Sequence, residues 1–582
     1  MVAHSPQLTR YSYNSPNHAA KVTYILSGQT YNLHKVFKIH RKTFHFTDWV
    51  FTFVHMSFEC ERISLANTGL LPPLVHDYLY QPEKISHLFS HSPKLQNVPQ
   101  QIELKKQQPV NRSDLVEILL QQYSRRAPAA KTLENIQLLK HKNTFTICCA
   151  HQPTLFLYPA FYFYKIASTL SLAALLEAYY PEYRFVPIFW LGSEDHDKEE
   201  LCNATLGEQP YQWDTPQKGA VGRFYLDASF HDLLNKASDN IQCLRWREIF
   251  HEAVKSTDNF GEFTAFVLQA IFGEHGLVVI NQDDKKLKEI FSDIITEEII
   301  HGVAEKILSD TNHFLNNHYN TQASVRPINF FLLDNQGRER ILKSSDGRYT
   351  VMNRDICFTK EEIEKYIKEH PENFSPNVIY RPLFQETVLP NVAFVGGSAE
   401  CSYWLQQKAL FNHFKKIFPI LVHRTPVVIL PHHISKKISR LGLNKTALFL
   451  SEEQKIKQFI AENFGREYDL HDIASSVEKA FDEAEERITK VDITLRDTIR
   501  AEKHKALQAL TGIEKKAAKA LRKKNDTLIN QLKAVHHNIF IDGVLQERKI
   551  NFLNFMDGET LLRFLIKESN PLANELLLVH VQ

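Results

Sequence analysis

Residues 143–192 contain, in order, the segments NTFTICCAHQP (143–153), AFYFYKIASTLSLAALLEAYYP (160–181) and RFVPIFWLG (184–192). The first and third segments are short, mostly apolar runs rich in residues that favour strands. The middle segment has apolar residues at helical spacing and stops at a proline. A strand, a helix and a second apolar strand predict a βαβ unit of a parallel sheet that is covered on both faces.

The strand pattern returns later in the chain, at GLVVIN (276–281), NVAFVGG (391–397) and FPILVHRTP (418–426). We therefore predict an α/β fold with a doubly wound parallel sheet, whose parts are separated by insertions. Within the insertions, FTAFVLQAIFG (263–273) predicts a helix, while PINFFLLD (327–334) and RYTVMN (348–353) predict strands.

Residues 475–535 are rich in Ala, Glu, Lys, Leu and Arg, with aliphatic residues at intervals of three and four. This composition and spacing predict a long helix or an α-helical coiled coil. Gly512 near the middle is a weak candidate for a hairpin turn, because one glycine costs a helix only about 1 kcal/mol.

The predicted organisation has eight parts. They are an N-terminal extension (1–55), a first half of the core with a helical lead-in (56–204), a first insertion (205–270), a core strand (271–284), a second insertion (285–375), a second half of the core (376–470), a coiled coil (471–540) and a C-terminal segment that packs back on the core (541–582). The natural chain is predicted to start near Met56, because a coherent pattern begins just after it.

Composition restricts the class of protein. A hydrophobic content of 43% and a charged content of 23% are those of a globular protein with a large core. The net charge of +2 provides no overall field for nucleic acid or anionic membrane. No apolar run reaches the roughly 20 residues of a transmembrane helix. Seven cysteines without a CxxC pair predict neither disulfides nor structural zinc, and fit a cytoplasmic protein.

The stretch VPIFWLGSEDHDKEEL (186–201) places Glu194, Asp195, His196 and Asp197 directly after a predicted strand. Carboxylates around one imidazole hold it protonated or fix its tautomer. Such a cluster could deprotonate an amine or hold a divalent ion. The alternative is structural, with Ser193 or Asp195 as the N-cap of a helix that has acidic residues in its first turn.

Polar residues also follow two other predicted strands, and ligands of open parallel sheets bind at the carboxyl ends of strands. Ala150, His151 and Gln152 precede the helix that carries Lys165, a candidate anion ligand. On that helix Tyr162 is equally well explained by core packing. We expect the three polar turns, at 151, 194–197 and 396–404, to open onto one mouth of the sheet.

The third turn, GGSAECSYW (396–404), begins with two glycines that permit close backbone approach by a ligand. Upstream, FSPNVIYRPLFQETVLPN (374–391) places polar side chains around three prolines, which predicts a stiff binding loop. Arg381 there is suited to bind carboxylate or phosphate, although an ion pair with Glu386 is equally compatible with the sequence. No GxxxxGK[ST], HExxH or GxSxG motif occurs.

With these motifs in view, the chain from about Leu65 onward resembles the bacillithiol biosynthesis cysteine-adding enzyme family. The resemblance rests on VPIFWLGSEDHDKEE, GAVGR (219–223), RPINFF (326–331), FSPNVIYRPLFQETVLPNVAFVGGSAECSYW (374–404) and LQERKINF (545–552). It implies a Rossmann-like core related to nucleotidyl transferases and class I aminoacyl-tRNA synthetases, with connective insertions and a C-terminal coiled coil that forms a homodimer. It also implies that L-cysteine is joined to the amine of glucosaminyl-malate as an amide.

The first motif departs from the family pattern. Family members usually carry Thr-Gly-His/Gln-Gln and then Gly-Pro-Leu-Tyr before the lysine, whereas this chain has CAHQ at 149–152 and YPAFY at 158–162. Two glycines are replaced, and a Cβ atom or a tyrosine obstructs close backbone approach to phosphate. We expect nucleotide affinity, substrate choice or activity to differ from the family.

The resemblance and the chemistry together predict a ligase that activates a carboxylate with ATP and Mg²⁺, acts on small molecules and binds neither nucleic acid nor membrane. The cluster 194–197 would hold the metal or deprotonate the sugar amine, and no single residue is named as a metal ligand. The predicted catalytic residues are Glu194, Asp195, His196 and Asp197; the nucleotide-binding residues are His151, Gln152, Gly396, Gly397 and Glu400; the substrate-binding residues are Lys165, Arg381, Gln385, Asn391, Tyr403 and Trp404. The rival hypotheses are a nucleotidyl transferase or metal-dependent phosphatase, and a non-catalytic coiled-coil scaffold with a degenerate core.

Overall fold

The computed structural model describes residues 57–582, apart from the side chains of residues 466 and 467, and before residue 57 only two short strands. Those strands, Thr23–Leu26 and Gln29–Asn32, pair antiparallel. By internal contacts the chain divides into two units, residues 1–55 and residues 56–582. The predicted start near Met56 and the predicted extension lie outside the described residues.

Five strands form the central sheet: β1 (Thr144–His151), β2 (Arg184–Leu191), β3 (Val278–Asn281), β4 (Asn391–Gly396) and β5 (Ile420–His423). All neighbouring pairs are parallel, and the order across the sheet is β3-β2-β1-β4-β5. The chain therefore works outward from β1 in one direction and then, from β4, in the other. This topology confirms the predicted Rossmann-like, doubly wound sheet.

Helices cover both faces of the sheet. Helix α1 (Phe161–Tyr179) packs against β1 and β2 on one face, where Tyr162 stacks on Phe189. On the other face, Cys148 and Trp190 belong to a large buried cluster that includes the lead-in helices. Side chains that alternate between two buried faces explain why β1 and β2 are apolar along almost their whole length. The lead-in helices are Pro73–Tyr80, Val98–Lys106, Arg112–Gln122 and Ala130–Leu138.

Between β2 and β3, the chain forms α2 (Lys198–Leu201), a hairpin and three longer helices. The hairpin pairs Asn203–Leu206 with Gln209–Gln212, and the helices are Ala228–Ala237, Leu244–Ser256 and Phe260–Phe272. The last of them contains the helix predicted from FTAFVLQAIFG. Asn259 caps it, since its side chain accepts from the backbone N–H of Glu262.

Between β3 and β4, helix α3 (Lys285–His301) and two shorter helices lead into an antiparallel sheet of five strands. The shorter helices are Val303–Ile307 and Ser309–His318. Across the sheet the strands run Cys357–Phe358, Tyr349–Val351, Gly337–Lys343, Phe330–Asp334 and Phe374–Pro376, and helix Lys360–Glu369 joins two of them. The strands predicted in PINFFLLD and RYTVMN are present.

The predicted binding loop at 374–391 instead contains strand Phe374–Pro376 and helix α4 (Arg381–Val388). Pro382 lies in the first turn of α4, where a helix tolerates proline because the N–H there has no intrahelical partner. Two helices follow β4, namely α5 (Ser398–Leu405) and Lys408–His413.

After β5 the chain builds a second sheet and a helical region. Strand Val427–Leu430 pairs parallel with Glu575–Val581, which pairs antiparallel with Phe58–Ser64. The helices are His432–Leu441, Glu452–Tyr468, His471–Ile488, Arg496–Lys524, Asp526–Ile539 and Gly558–Glu568, and a short hairpin pairs Phe540–Ile541 with Val544–Leu545. None of the helices that the structure describes is both long and apolar enough to cross a membrane.

The helices His471–Ile488 and Arg496–Lys524 lie antiparallel, as two successive ion pairs show: Arg500 with Glu485 and Lys503 with Asp482, each at 2.8 Å. Neither helix has a buried residue. The turn between them lies at 489–495, so Gly512 is not the turn. Residue 512 lies inside the second helix, because one glycine does not break a helix that many other residues favour.

Candidate active site

A cavity of about 430 Å³ opens at the carboxyl ends of the central strands. Its wall includes Ala150 and His151 at the end of β1, Asp195 after β2, and Gly397 and Ser398 at the start of α5. These elements meet beside β1 and β4, where the direction of the sheet order reverses and where open α/β sheets bind ligands. The prediction that three polar turns share one mouth of the sheet is confirmed.

His151 and Gln152 both line the cavity. Burial, and then the positive charge of Lys165, lowers the pKa of His151 to about 3, so the imidazole is neutral near pH 7. Its Nδ1 atom lies 3.2 Å from the carbonyl oxygen of Gln152, which can only accept a hydrogen bond. The proton is therefore on Nδ1, and Nε2 is an acceptor for a ligand N–H or O–H group.

Lys165 of α1 is almost completely buried at the cavity wall. Its Nζ atom donates to the carbonyl of Ala150 at 2.8 Å and lies 2.6 Å from Oε2 of Glu400. Burial raises the pKa of the Glu400 carboxyl, but Lys165 and the Gly397 amide outweigh burial and hold it below its usual value. This geometry does not fit the predicted role of Lys165 as a ligand for substrate carboxylates, because Glu400 already neutralises its charge.

Glu194 is fully buried and does not line the cavity. Its Oε2 atom accepts hydrogen bonds from Gln282 at 3.0 Å and from Ser375 at 2.9 Å, and its Oε1 atom forms an ion pair with Lys288 of α3. Burial raises the pKa of this carboxyl, and Lys288 opposes that effect. Glu194 therefore joins the end of β2 to the second insertion. The prediction that it is a catalytic group is corrected on this ground.

Asp195 lines the cavity, whereas His196, the next residue, does not line it and bonds to Arg338 of the second insertion. Asp195 accepts from the side chain of Gln152 at 2.9 Å and from the backbone N–H of His196 at 2.8 Å. Burial raises the pKa of Asp195, but Arg338 and these hydrogen bonds outweigh burial and hold the pKa below its usual value. The carboxylate is therefore charged near pH 7. Arg338 donates to Nδ1 of His196 at 2.9 Å.

The contact with Arg338 determines the state of His196. Burial and then Arg338 lower the pKa of this imidazole, against the opposing effect of Asp195 and Asp197. Of the two states predicted for His196, the structure favours a fixed tautomer over a protonated ring. A neutral ring whose Nδ1 accepts from Arg338 carries its proton on Nε2, so His196 is a hydrogen-bond donor.

Asp197 caps α2, since its side chain accepts from the backbone N–H of Glu200 at 3.0 Å. A helix N-cap is therefore present, as the structural alternative predicted, but the capping residue is Asp197 and neither Ser193 nor Asp195. Glu200 lines the cavity near Asp195. Burial, and then the charges of Asp197 and Asp195, raises the pKa of Glu200. The acidic wall thus holds one carboxylate with a lowered pKa and one with a raised pKa.

Gly396 and Gly397 join β4 to α5. A Cβ atom on Gly396 would lie 2.8 Å from the ring of Phe394 and 3.0 Å from Cβ of Glu400, so a larger residue would force these side chains to move. Gly397 lines the cavity, and its N–H donates to Glu400 at 2.9 Å. The first turn of α5 offers further backbone N–H groups, which suits an anion.

Arg381 and Tyr403 lie side by side on the cavity wall. The guanidinium of Arg381 donates to the hydroxyl of Tyr403 at 2.7 Å and to the side-chain oxygen of Gln385 at 3.2 Å. No carboxylate among the described side chains lies within ion-pair distance of it, and Glu386, its predicted partner, pairs with Lys105. Arg381 is therefore oriented by neutral groups and keeps its charge available for a ligand.

Three predicted substrate ligands do not reach the cavity. Gln385 and Asn391 donate to Oε1 of Glu386, at 3.0 Å and 2.7 Å, while Lys105 pairs with Glu386 at 2.9 Å. This buried network explains both the polar residues and the lack of an Arg381–Glu386 pair. Trp404 is fully buried too, stacked on Phe394 at 4.4 Å between ring centres. The predicted substrate contacts of Gln385, Asn391 and Trp404 are corrected accordingly.

The C-terminal segment contributes Arg548 to the cavity wall beside Arg424, which follows β5. Arg424 donates to both carboxylate oxygens of Glu547, at 2.8 Å and 2.5 Å, and this pair is buried. The guanidinium carbons of Arg424 and Arg548 lie 5.2 Å and 5.7 Å from the ring centre of Phe161. The core and the C-terminal segment thus share one wall.

The first insertion is joined to the same end of the sheet through the segment GAVGR. A Cβ atom on Gly222 would lie 2.5 Å from Cβ of Ser193, so only glycine permits this approach. The backbone N–H of Val221 donates to the carbonyl of Asp195 at 2.7 Å. Arg223 forms two hydrogen bonds of 2.7 Å with Asp283 after β3. Both insertions therefore position Asp195 and its neighbours.

The donor set does not fit a resident metal ion. Among residues 57–582, no group of three or more His, Cys, Asp or Glu side chains converges as a metal site. Glu194 is engaged by Lys288 and Asp197 caps α2, which leaves only Asp195 and Glu200 of the acidic run at the cavity wall.

Four charged wall residues were not predicted: Glu200, Arg338, Arg424 and Arg548. For three of them the sequence held a signal, since Glu200 follows the acidic cluster, Arg424 follows the last strand of the sheet and Arg548 lies in LQERKINF. Arg338 lies in an exposed-looking run of charged residues, and nothing local distinguishes it.

Comparison with known proteins agrees with this architecture. Residues 58–425 match the family model "Bacillithiol biosynthesis BshC, N-terminal Rossmann-like domain", and residues 427–581 match "Bacillithiol biosynthesis BshC, C-terminal coiled-coil domain". A solved structure described as a "putative arginyl t-RNA synthetase" from Campylobacter jejuni aligns over 75% of this chain and 98% of its own, at 12% identity and a TM-score of 0.18.

Curated relatives extend the match over nearly the whole described chain. A protein of Cytophaga hutchinsonii named "Putative cysteine ligase BshC" is 34% identical over 87% of this chain and 96% of its own. A protein of the same name from Christiangramia forsetii is 33% identical over 88% of this chain and 97% of its own. The chain belongs to the BshC family of bacillithiol biosynthesis proteins.

Proposed function

We propose that this protein joins the carboxyl group of L-cysteine to the amine of glucosaminyl-malate, forming an amide. The observation that carries the proposal is a single cavity lined both by arginines without ion pairs, Arg381 and Arg548, and by the carboxylates of Asp195 and Glu200. Glucosaminyl-malate has matching chemistry, because it bears two carboxylates and one amine. The family supports a role in bacillithiol biosynthesis, and the names of the relatives support ligase chemistry.

The acidic wall would receive the amine. Asp195 is a carboxylate with a lowered pKa, so it suits binding of the ammonium form. Glu200 has a raised pKa and is therefore the stronger base of the two. Neighbouring carboxylates whose surroundings move their pKa values apart commonly divide into a charged binding group and a proton acceptor. We assign binding to Asp195 and proton removal to Glu200.

A cysteine carboxylate does not react with an amine until its oxygen becomes a good leaving group. ATP would supply this by transferring its terminal phosphoryl group to the carboxylate with release of ADP, giving an acyl phosphate, or its AMP moiety with release of pyrophosphate, giving an acyl adenylate. The amine then attacks the activated carbonyl, the phosphate or AMP leaves, and Glu200 takes the proton. We place the nucleotide near His151, Gln152 and the start of α5, with Mg²⁺ held mainly by the phosphates, as is usual for this ion.

The test is an assay of the purified protein with L-cysteine, glucosaminyl-malate, ATP and Mg²⁺, followed by mass spectrometry of the products. We expect an amide of the two organic substrates, with cleavage of ATP. A phosphorylated or nucleotidylated acceptor without the amide would instead indicate a transferase. A protein that binds neither ATP nor glucosaminyl-malate in calorimetry would be a scaffold. Both results would reject the proposal.

The raised pKa of Glu200 leads to a prediction of the pH dependence of Asp197→Asn. The base must be deprotonated, so activity is present above the pKa of Glu200 and falls as the pH drops through it. Asparagine also caps helices well, so α2 should persist while one negative charge beside Glu200 is lost. Because the charge of Asp197 contributes to the raised pKa of Glu200, we expect the acidic limb of the kcat/KM profile to move to lower pH.

Salt provides the control for this variant. Because the interaction is electrostatic and partly exposed, the difference between Asp197→Asn and the unmodified protein should shrink at about 1 M salt. Coincident acidic limbs at low salt would show that Asp197 does not influence the base.

The resemblance implies a homodimer, and in this chain the helical hairpin 471–524 would form the dimer contact. We propose this contact because Ile488, Val491 and Ile493 are exposed at and near its turn.

A further inference from the structure

Arg548 is held at the cavity wall by the residues on either side of it. Glu547 forms the buried pair with Arg424, and the side chain of Gln546 bonds to the backbone N–H and carbonyl of Ile429, at 2.8 Å and 3.0 Å. On the other side, the carbonyl of Ile550 accepts from the backbone N–H of Ala160 at 2.9 Å. The segment is therefore attached both to strand Val427–Leu430 and to the start of α1.

The charge of Arg548 has no counterpart within the described part of the chain. No carboxylate among the side chains that the structure describes lies within ion-pair distance of its guanidinium, and the neighbouring Glu547 pairs with Arg424. Solvent-exposed arginines without partners are common, but here the flanking residues fix the segment, and Arg381 lines the same cavity without an ion pair. Two arginines without ion pairs that line one cavity favour a ligand that carries carboxylate or phosphate.

We infer that Arg548 and Arg381 form an anion-binding subsite in which the C-terminal segment supplies one half. This inference rests on the proposed function and adds to it that the C-terminal coiled-coil domain completes the active site. Carboxylate and phosphate share the same recognition chemistry. The anion is therefore supplied either by the malate moiety of glucosaminyl-malate or by the phosphates of ATP.

The test uses Arg548→Gln in the full-length protein, with Lys549→Gln as the matched control. Lys549 is the next residue, does not line the cavity and pairs with Asp542 at 3.1 Å. Calorimetry would measure binding of glucosaminyl-malate, of methyl glucosaminide, which lacks malate, and of ATP. We expect Arg548→Gln to weaken one of the two anionic ligands roughly ten- to a hundredfold, as loss of a charge-assisted hydrogen bond does. Lys549→Gln should bind as the unmodified protein does.

The identity of the weakened ligand distinguishes the two sources of the anion. Weaker glucosaminyl-malate with unchanged methyl glucosaminide assigns the subsite to malate, and weaker ATP assigns it to phosphate. Arg548→Lys, which keeps the charge, should retain more affinity than Arg548→Gln. Equal affinities of Arg548→Gln and the unmodified protein for both anionic ligands would overturn the inference.

Two further measurements separate this inference from the proposed function and from misfolding. Titration with L-malate and with pyrophosphate tests the subsite without any ligase substrate, and we expect at least one of them to bind and to be weakened in Arg548→Gln. If neither binds the unmodified protein, the subsite is rejected even where the ligase assay succeeds. Circular dichroism with thermal melting should show the same fold for Arg548→Gln and Lys549→Gln, because the pair of Arg424 with Glu547 is intact in both.

Discussion

Replacing Glu194 by glutamine is expected to lower the free energy of unfolding by about 3–5 kcal/mol, the usual result of removing one partner of a buried ion pair. Glutamine keeps one oxygen that can accept a hydrogen bond, but it removes the negative charge opposite Lys288, whose Nζ atom otherwise bonds to the carbonyl of Phe374 at 2.5 Å. A buried ammonium group without a carboxylate is costly because water cannot replace the lost partner. Denaturant unfolding followed by circular dichroism would measure the change.

Glu199→Gln is the matched control for this variant. It makes the same chemical change five positions along the same run, at an exposed residue of α2, where such substitutions usually stay within about 0.5 kcal/mol. The double variant Glu194→Met/Lys288→Met should lose less than the sum of the two single variants, because neither charge is then left alone. Equal stability of Glu194→Gln and Glu199→Gln would show that the buried pair is not important for the fold.

The sheet was predictable because its strands are local patterns. β1, α1 and β2 each carry their own signal of apolar period and length, and short connections between them leave few topologies open. Helix α4 was mistaken for a loop because proline was given more weight than its position allows. Proline near the start of a helix is compatible with the helix, and Pro382 occupies that position.

The site could be predicted only in part, because the partners of its charged residues are distant in sequence. Glu194 and Asp195 are neighbours in sequence but have different surroundings. Glu194 is buried against Lys288, whereas Asp195 faces the cavity. Polarity alone cannot distinguish them, since the decision depends on residues about 90 and 140 positions later, Lys288 and Arg338. The same reason applies to Gln385 and Asn391, whose side-chain amides donate hydrogen bonds to Glu386 and not to a ligand.

The contrast with Glu194 leads to the second prediction, for Asp195→Asn. Asparagine keeps an oxygen that can accept from the backbone N–H of His196, but it removes the negative charge that Arg338 stabilises. Its amide also presents a donor towards the donor group of Gln152, unless one of the two amides rotates. We expect kcat/KM for glucosaminyl-malate to fall about 100-fold, equivalent to about 2.7 kcal/mol of transition-state stabilisation.

Substitution of Glu194 should therefore lower stability, whereas substitution of its neighbour Asp195 should lower activity. Asp195→Asn should unfold within about 1 kcal/mol of the unmodified protein, because the residue is only half-buried. Initial rates at varied glucosaminyl-malate would show whether the loss lies in KM, as expected for a group that binds the substrate amine before and during reaction. Glu199→Gln should be as active as the unmodified protein. If Asp195→Asn kept full kcat/KM, the amine would bind elsewhere, and the assignment of the acidic wall to the acceptor would be wrong.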